Sequence, residues 1–177
     1  MTLTRIAGLC SLVALALFHV GAATAASEQA PKVVSGLPVP RFVSLKTEKV
    51  NVRAGPTKEH DVTWIYTRAG LPVEITAEFE NWRRIRDWEG AEGWVYHSLL
   101  SGRRTASVTP QKKPTDELLP LRSVASPDSE VVAQMQPGVL GAVKRCAGGW
   151  CRLQGEGFDG WIEQWRLWGV YPNEKIE

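Results

Sequence analysis

Eight tryptophans stand out in this chain of 177 residues, and four of them are the best candidates for binding a ligand. They form two similar pairs, Trp82 with Trp94 and Trp150 with Trp161. An indole ring combines a flat apolar face with an N–H donor, so it suits the apolar faces of sugars and the stems of peptides. The alternative is that these rings only cover the ends of a folded unit or the contact between two units.

The alternation of side chains along a strand decides which of them are available to a ligand. Ile85 belongs to the core by its pattern, so Trp82 and Arg84 lie on the opposite face of their strand unless a bulge intervenes. The same alternation separates Trp150 from Leu153. The predicted ligand-binding residues are Trp82, Arg84, Trp94, Trp150 and Trp161.

Arginines are concentrated in the segment 83–86, which also contains Arg84. Their charge would attract the carboxylates of a peptide or of a partner protein. The alternative is a solvated strand face whose charge is balanced by nearby acidic residues such as Glu80 and Asp87, and the pattern favours it.

Catalytic chemistry finds little support in the sequence. A cysteine nucleophile needs a histidine base, usually downstream, and no histidine follows Cys146 or Cys151. Their spacing is poor for zinc, and His60 and His97 both lie far upstream. No phosphate-binding glycine motif occurs either. We therefore predict no catalytic residue, no metal site and no cofactor.

Cys146 and Cys151 bracket a glycine-containing segment, 147–150, that reads as a four-residue turn between two strands. Residues that face each other across an antiparallel ladder have Cα atoms within disulfide range. We predict a disulfide between them, with two free thiols as the alternative. Its short loop limits the stabilisation to about 2 kcal/mol.

The first 25 residues have the three parts of a secretory signal. Arg5 supplies the positive charge, residues 6–20 form an apolar run, and Ala23-Thr24-Ala25 matches the cleavage rule. We predict cleavage after Ala25 and a periplasmic or secreted protein, with an uncleaved anchor as the alternative. Residues 26–40 are rich in Ala, Pro, Ser and Gly and read as a flexible tether.

Composition and charge indicate the class of protein and argue against several others. The hydrophobic content of 44% and charged content of 23% fit a globular protein. The net charge of +2 is too balanced to indicate a nucleic-acid partner, and no apolar run in the mature chain is long enough for a transmembrane helix.

Short apolar runs separated every 8–12 residues by turn residues predict an all-β fold. The strands predicted in the first half are 42–45, 50–53, 62–67, 71–78, 82–87 and 92–96, and 105–108 is predicted to close the same sheet.

The same order of residues occurs twice after the tether, which indicates a duplicated domain. Arg53 and Gly70 are 17 positions apart, and Arg122 and Gly138 are 16 apart. The two tryptophan pairs are spaced by 12 and 11 positions. Glycines such as Gly93 and Gly160 are read as turn residues. The predicted organisation is a first domain at 41–108, a linker at 109–117, a second domain at 118–172 and a tail at 173–177.

The segment 50–56 (Val-Asn-Val-Arg-Ala-Gly-Pro), followed by Trp82-x-x-Ile85 and Gly93-Trp94-Val95, resembles the bacterial SH3-like domain. Residues 93–104 are similar to a secreted alphaproteobacterial subgroup of that family. The resemblance implies two tandem small SH3-like β-barrels, usually accessory modules that bind cell-wall or peptide ligands. The expected partner is a cell-wall peptide or glycan, or alternatively an envelope protein. The second copy departs from the pattern at 120–125, which has Pro-Leu-Arg-Ser-Val-Ala.

Overall fold

A computed structural model describes residues 35–108 and 118–177, which form two antiparallel sheets of seven strands each. The first sheet has the order β3-β2-β6-β5-β4-β1-β7, and the second has β10-β9-β13-β12-β11-β8-β14. Adding seven to each strand number of the first sheet generates the second. The first sheet consists of β1 Arg41–Leu45, β2 Val50–Arg53, β3 Val62–Tyr66, β4 Pro72–Phe79, β5 Trp82–Arg86, β6 Glu92–Tyr96 and β7 Leu100–Ser101. The second consists of β8 Thr105–Val108, β9 Leu119–Arg122, β10 Val131–Met135, β11 Leu140–Ala147, β12 Trp150–Gly155, β13 Phe158–Glu163 and β14 Leu167–Trp168.

The predicted all-β fold with two tandem copies is therefore confirmed. A short 3-10 turn precedes the last strand of each sheet, at His97–Leu99 and Gln164–Arg166. Each sheet encloses its own apolar cluster, because alternate side chains of its strands point to one face. The first cluster includes Val52, Ile85 and Val95, and the second includes Leu121, Leu153 and Ile162. In the described ranges, no helix has the length and apolarity needed to cross a membrane.

The strand Thr105–Val108 was predicted to close the first sheet, and that prediction is wrong. This strand, β8, pairs with β11 and β14 of the second sheet. It occupies the place that β1 has in the first sheet, between β4 and β7. A short apolar run shows that a strand exists, but its hydrogen-bonding partner depends on the path of the chain.

The predicted linker at 109–117 lies outside the described residues. The strands on either side of it, β8 and β9, belong to the same sheet. The predicted signal segment also lies outside the described residues.

Two segments predicted as loose ends are bonded to the sheets. In the predicted tail, Ile176 exchanges two backbone hydrogen bonds with Cys146, and Glu174 forms an ion pair with Arg104 at 2.7 Å. In the predicted tether, the amide of Ser35 donates a hydrogen bond of 2.7 Å to Glu78. Composition alone did not show these bonds, because each of them joins residues distant in sequence.

The hairpin that contains the two cysteines is tighter than predicted. Cys146 and Cys151 are direct partners with Cα atoms 4.1 Å apart, and they form the predicted disulfide. Ala147 and Trp150 pair as well, so the loop has two residues instead of four. Gly148 and Gly149 have φ values of 60° and 82°, as a type I′ turn requires.

Gly93 and Gly160 were read as turn residues, but they lie inside strands β6 and β13. A Cβ atom at Gly93 would lie 2.4 Å from Cγ1 of Val52, and one at Gly160 would lie 2.8 Å from the carbonyl oxygen of Arg122. These contacts belong to the neighbouring strands β2 and β9. The repeated Gly-Trp pair therefore exists because two strands approach too closely for a side chain.

Replacing either strand glycine by alanine is expected to lower the free energy of unfolding by about 1–3 kcal/mol, the cost of overpacking. Gly160→Ala should have the larger effect, since its nearest contact is backbone and cannot rotate away. Gly102→Ala is the matched control, because its Cβ would meet nothing within 4 Å. Urea denaturation of the three variants measures the difference, and equal midpoints for Gly160→Ala and Gly102→Ala would contradict the explanation.

Candidate ligand-binding site

The outer faces of the two sheets carry the same row of side chains across three strands. In the first copy, Trp94 on β6 lies between Arg53 on β2 and Arg84 on β5. In the second copy, Trp161 lies in the same way between Arg122 and Arg152. Residues directly opposite each other across strands share a face of the sheet, so each row places an indole between two guanidinium groups. The structure thus brings together Arg84 and Trp94, two of the residues predicted from the sequence.

A carboxylate already pairs with one arginine of each row. Arg84 contacts Glu92 at 2.6 Å, and Arg152 contacts Asp159 at 2.8 Å. The hydrogen bonds from Arg152 lower the pKa of Asp159, which keeps that carboxylate charged. Both pairs are substantially exposed and contribute little to stability. A ligand carboxylate that approaches Arg84 has to compete with Glu92.

Trp82 lies on the same outer side of β5 but is only 8% exposed. Its ring packs edge-on against Tyr96, with 5.4 Å between the ring centroids and 82° between the planes. Trp94, Trp150 and Trp161 are half-buried. Among the described residues, none of these four tryptophans belongs to either core cluster, although Trp82 is itself buried.

Trp82 and Tyr96 form part of a groove of about 290 Å³ in the first copy. We call it the Trp82–Tyr96 groove. Two cationic residues, Arg53 and Lys58, line it together with the aromatic pair. The full lining is Asn51, Arg53, Lys58, Trp82, Tyr96, Ser98 and Leu99. The groove therefore combines an aromatic wall with positive charge, while Arg84 and Trp94 lie outside this lining.

The turn after β2 holds the cationic side of the groove. Arg53 donates a hydrogen bond of 2.6 Å to the carbonyl oxygen of His60, and Thr57 contacts Nδ1 of His60 at 3.1 Å. These contacts close the turn that carries Lys58. The sequence reasoning missed Lys58 and Tyr96, although Tyr96 stands two positions after Trp94 and so shares its face of the strand.

Comparison with known protein families shows to which family the chain belongs. The family model of the bacterial SH3 domain matches residues 46–102 and residues 115–169. The chain belongs to the bacterial SH3 domain family. Both matched ranges begin after the strand that occupies the corresponding place in the two sheets, since β1 lies ahead of residue 46 and β8 lies ahead of residue 115.

Solved structures with similarity to these two SH3 domains include NlpC2 and NlpC1 from Trichomonas vaginalis. NlpC2 is 14% identical with a TM-score of 0.31, and the match covers 75% of this chain and 49% of that protein. NlpC1 is 15% identical with a TM-score of 0.31, and the match covers 75% of this chain and 47% of that protein. The chain thus matches about half the length of each. Among curated proteins, none matches the sequence significantly.

The second SH3 domain does not repeat the chemistry of the Trp82–Tyr96 groove. Trp150 is paired with Glu163, where Trp82 is paired with Tyr96. Glu163 forms an ion pair with Arg166 in the following 3-10 turn. Strand β9 has Pro120 at the position that corresponds to Asn51 in β2. The predicted binding residues Trp150 and Trp161 are therefore present on the outer face, but without an aromatic partner at position 163.

Proposed function

We propose that the chain is a non-enzymatic binding module of the cell envelope, and that it recognises peptidoglycan or its stem peptides through the Trp82–Tyr96 groove. The observation that carries the proposal is the union of an aromatic wall with Arg53 and Lys58 in one groove of the first SH3 domain. Aromatic faces suit the apolar stems of a peptide, and cationic side chains form strong hydrogen bonds to its carboxylates. Membership of the bacterial SH3 family supports the same class of ligand.

The proposed location is the periplasm or the exterior of the cell. The disulfide between Cys146 and Cys151 supports it, because disulfides persist in oxidising compartments. The signal read in residues 1–25 and the likeness of residues 93–104 to secreted alphaproteobacterial proteins agree with that location.

A binding role without catalysis is supported by the chemistry of the described residues. Both cysteines among them are bonded to each other, so neither supplies a thiolate nucleophile. In the ranges 35–108 and 118–177, no group of three His, Cys, Asp or Glu side chains is arranged to hold a metal ion. The proposal assigns binding to the groove.

Retention on purified cell-wall sacculi tests the proposal. We expect the wild-type chain to be retained, and Lys58→Glu to reduce retention by about tenfold, because a charge-assisted hydrogen bond is worth about 1.5–3 kcal/mol. Lys58 is exposed, so this variant should fold normally. Lys49→Glu is the matched control, since it reverses an exposed charge that does not line the groove.

The results of the sacculus experiment test both the binding site and the class of partner. Equal retention of Lys58→Glu and Lys49→Glu would show that the groove is not the binding site. Failure of the wild type to bind would contradict the proposal and favour the alternative, an envelope protein as partner. The exposed apolar residues Val131 and Val132 on the edge strand β10, 42% and 46% exposed, would then be the surface to examine.

A further inference from the structure

A second groove, of about 470 Å³, lies between the two SH3 domains. We call it the junction groove. Phe42, Glu74 and Arg86 of the first domain line one side, while Trp165, Trp168 and Tyr171 come from the second half of the chain. Its volume falls within the range of small-molecule sites. Neither domain supplies the groove alone, so only the tandem arrangement creates it.

Direct contacts between the two halves hold the junction groove in shape. The ring of Phe42 packs edge-on against Trp168, with 5.0 Å between the ring centroids, and lies at a tilt of 45° to Tyr171, with 4.7 Å between the centroids. The indole N–H of Trp168 donates to the carbonyl oxygen of Pro72 at 3.0 Å, and the hydroxyl of Tyr171 donates to Glu74 at 2.9 Å. The aromatic walls are thus positioned before a ligand arrives.

The charges in the junction groove neutralise each other. Its charged lining residues are Glu74 and Arg86, and Nε of Arg86 donates to Glu74 at 3.0 Å. Glu74 is 3% exposed, and its second oxygen accepts the hydroxyl of Tyr171. The groove therefore favours an uncharged ligand, in contrast to the cationic Trp82–Tyr96 groove.

Two features indicate what kind of uncharged ligand fits. Trp165 is 62% exposed, an unusual exposure for an indole, and the guanidinium of Arg166 lies 4.2 Å from its ring centroid. Gln164 is 4% exposed and donates from Nε2 to the carbonyl oxygens of Tyr171 and Glu174. These bonds fix the orientation of its amide, and its Oε1 accepts no hydrogen bond from any described residue. The lining thus combines an exposed aromatic platform with a buried acceptor that lacks an N–H or O–H donor.

We propose that the junction groove binds an uncharged N-acetylated amino sugar of the cell-wall glycan. The apolar face of a sugar ring suits the exposed indole of Trp165. The acetamido group supplies a methyl group for the aromatic walls and an N–H donor that reaches the buried Oε1 of Gln164 once the groups covering that atom move aside. This inference rests on the proposed function and deepens it. The Trp82–Tyr96 groove takes the charged peptide part of the wall, and the junction groove takes its neutral glycan part.

Titration of the full chain with a trisaccharide of β-1,4-linked N-acetylglucosamine tests the inference, with the indole N–H signals followed by NMR. We expect the signals of Trp165 and Trp168 to shift and that of Trp82 to stay. Trp165→Ala should weaken binding at least about tenfold, in line with the loss of an aromatic anchor. Cellotriose, which lacks the acetamido groups, should also bind at least about tenfold more weakly. Lys58→Glu should leave the affinity for the trisaccharide unchanged.

The outcomes separate the two sites. Three results would overturn the inference. They are a shift of the indole signal of Trp82 alone, an affinity of the trisaccharide for Trp165→Ala equal to that for the wild type, and an affinity no higher than that of cellotriose. If the trisaccharide does not bind while sacculus retention still depends on Lys58, the inference fails and the proposed function stands. If the trisaccharide binds at the junction groove while Lys58→Glu does not change retention on sacculi, the role proposed for the Trp82–Tyr96 groove is wrong instead. The other indole signals report whether Trp165→Ala remains folded.

Discussion

Replacing Glu78 by glutamine is expected to lower the free energy of unfolding at pH 7 by about 3 kcal/mol, because it removes one member of a buried ionic network. Glu78 is 5% exposed and accepts hydrogen bonds from the amide and the hydroxyl of Ser35 at 2.7 and 2.6 Å. Arg41 contacts it at 2.7 Å and Arg83 at 3.2 Å. The neutral amide leaves both arginines without this counter-charge in a largely buried site.

The pKa of Glu78 gives this effect a pH dependence. Burial alone would raise that pKa, but the hydrogen bonds from Ser35 and Arg41 and the charge of Arg83 outweigh burial and lower the pKa from 4.5 to about 2. A carboxyl group with a lowered folded-state pKa stabilises the fold above its unfolded value, and this contribution is lost as the pH falls through the folded value. The wild type should therefore lose about 3 kcal/mol between pH 5 and pH 2 from this group, and Glu78→Gln should not.

Urea denaturation at pH 7, 5, 4, 3 and 2 measures both expectations for Glu78. Glu92→Gln is the control, because it removes the same charge from an exposed pair with Arg84 and should cost less than about 1 kcal/mol. Parallel loss of stability with pH in the wild type and in Glu78→Gln would show that the network does not act as described. The network also explains why Ser35 is held in place instead of belonging to a free tether.

Truncation of Trp82 to alanine is expected to lower the free energy of unfolding by about 3–5 kcal/mol, the usual cost of removing a buried aromatic side chain. The ring is 8% exposed and fills the space against Tyr96 on the neighbouring strand. Trp94→Ala should cost clearly less, because its ring is half-buried. Thermal or urea denaturation compares the two variants directly, and a cost for Trp94→Ala equal to that of Trp82→Ala would contradict the assignment.

This result bears on how the ligand site is tested. Loss of ligand binding in Trp82→Ala would not separate a lost contact from a destabilised first SH3 domain. Lys58→Glu makes that separation, since its side chain is exposed and lines the same groove. Trp82 is therefore best regarded as the buried wall that positions Tyr96.

Much of the fold could be predicted from local patterns. The strands that begin at Val50 and Glu92 have the predicted bounds, and β1, β3 and β5 differ from the prediction by one residue at one end. Strand β4 is shifted by one residue at both ends, and the short strand β7 was not predicted. The disulfide followed from two cysteines placed symmetrically about a turn. The duplication followed from spacings such as those of the two tryptophan pairs. These features depend on neighbours in sequence or on the alternation of a strand, and both are visible without coordinates.

Only part of the candidate site could be predicted from such local patterns. Strand alternation placed Trp82 and Arg84 on the outer face, but the groove beside them also uses Lys58 from a turn and Tyr96 from another strand. Nothing in the sequence spacing brings Lys58 to Trp82, because their approach depends on how β2, β6 and β5 pair. The likeness to bacterial SH3 domains pointed to a class of ligand and left the lining residues open.

The sequence by itself determined that this chain is a repeated all-strand protein with a stapled hairpin in its second copy. The tertiary structure alone decided that β8 belongs to the second sheet, that Gly93 and Gly160 make room for a neighbouring strand, and that Phe42 meets Trp168 and Tyr171 at the junction. The physical reason is the range of the interactions involved. Alternation and turn chemistry act over a few residues, whereas strand partners, steric contacts and the groove between the two copies join residues that are far apart along the chain.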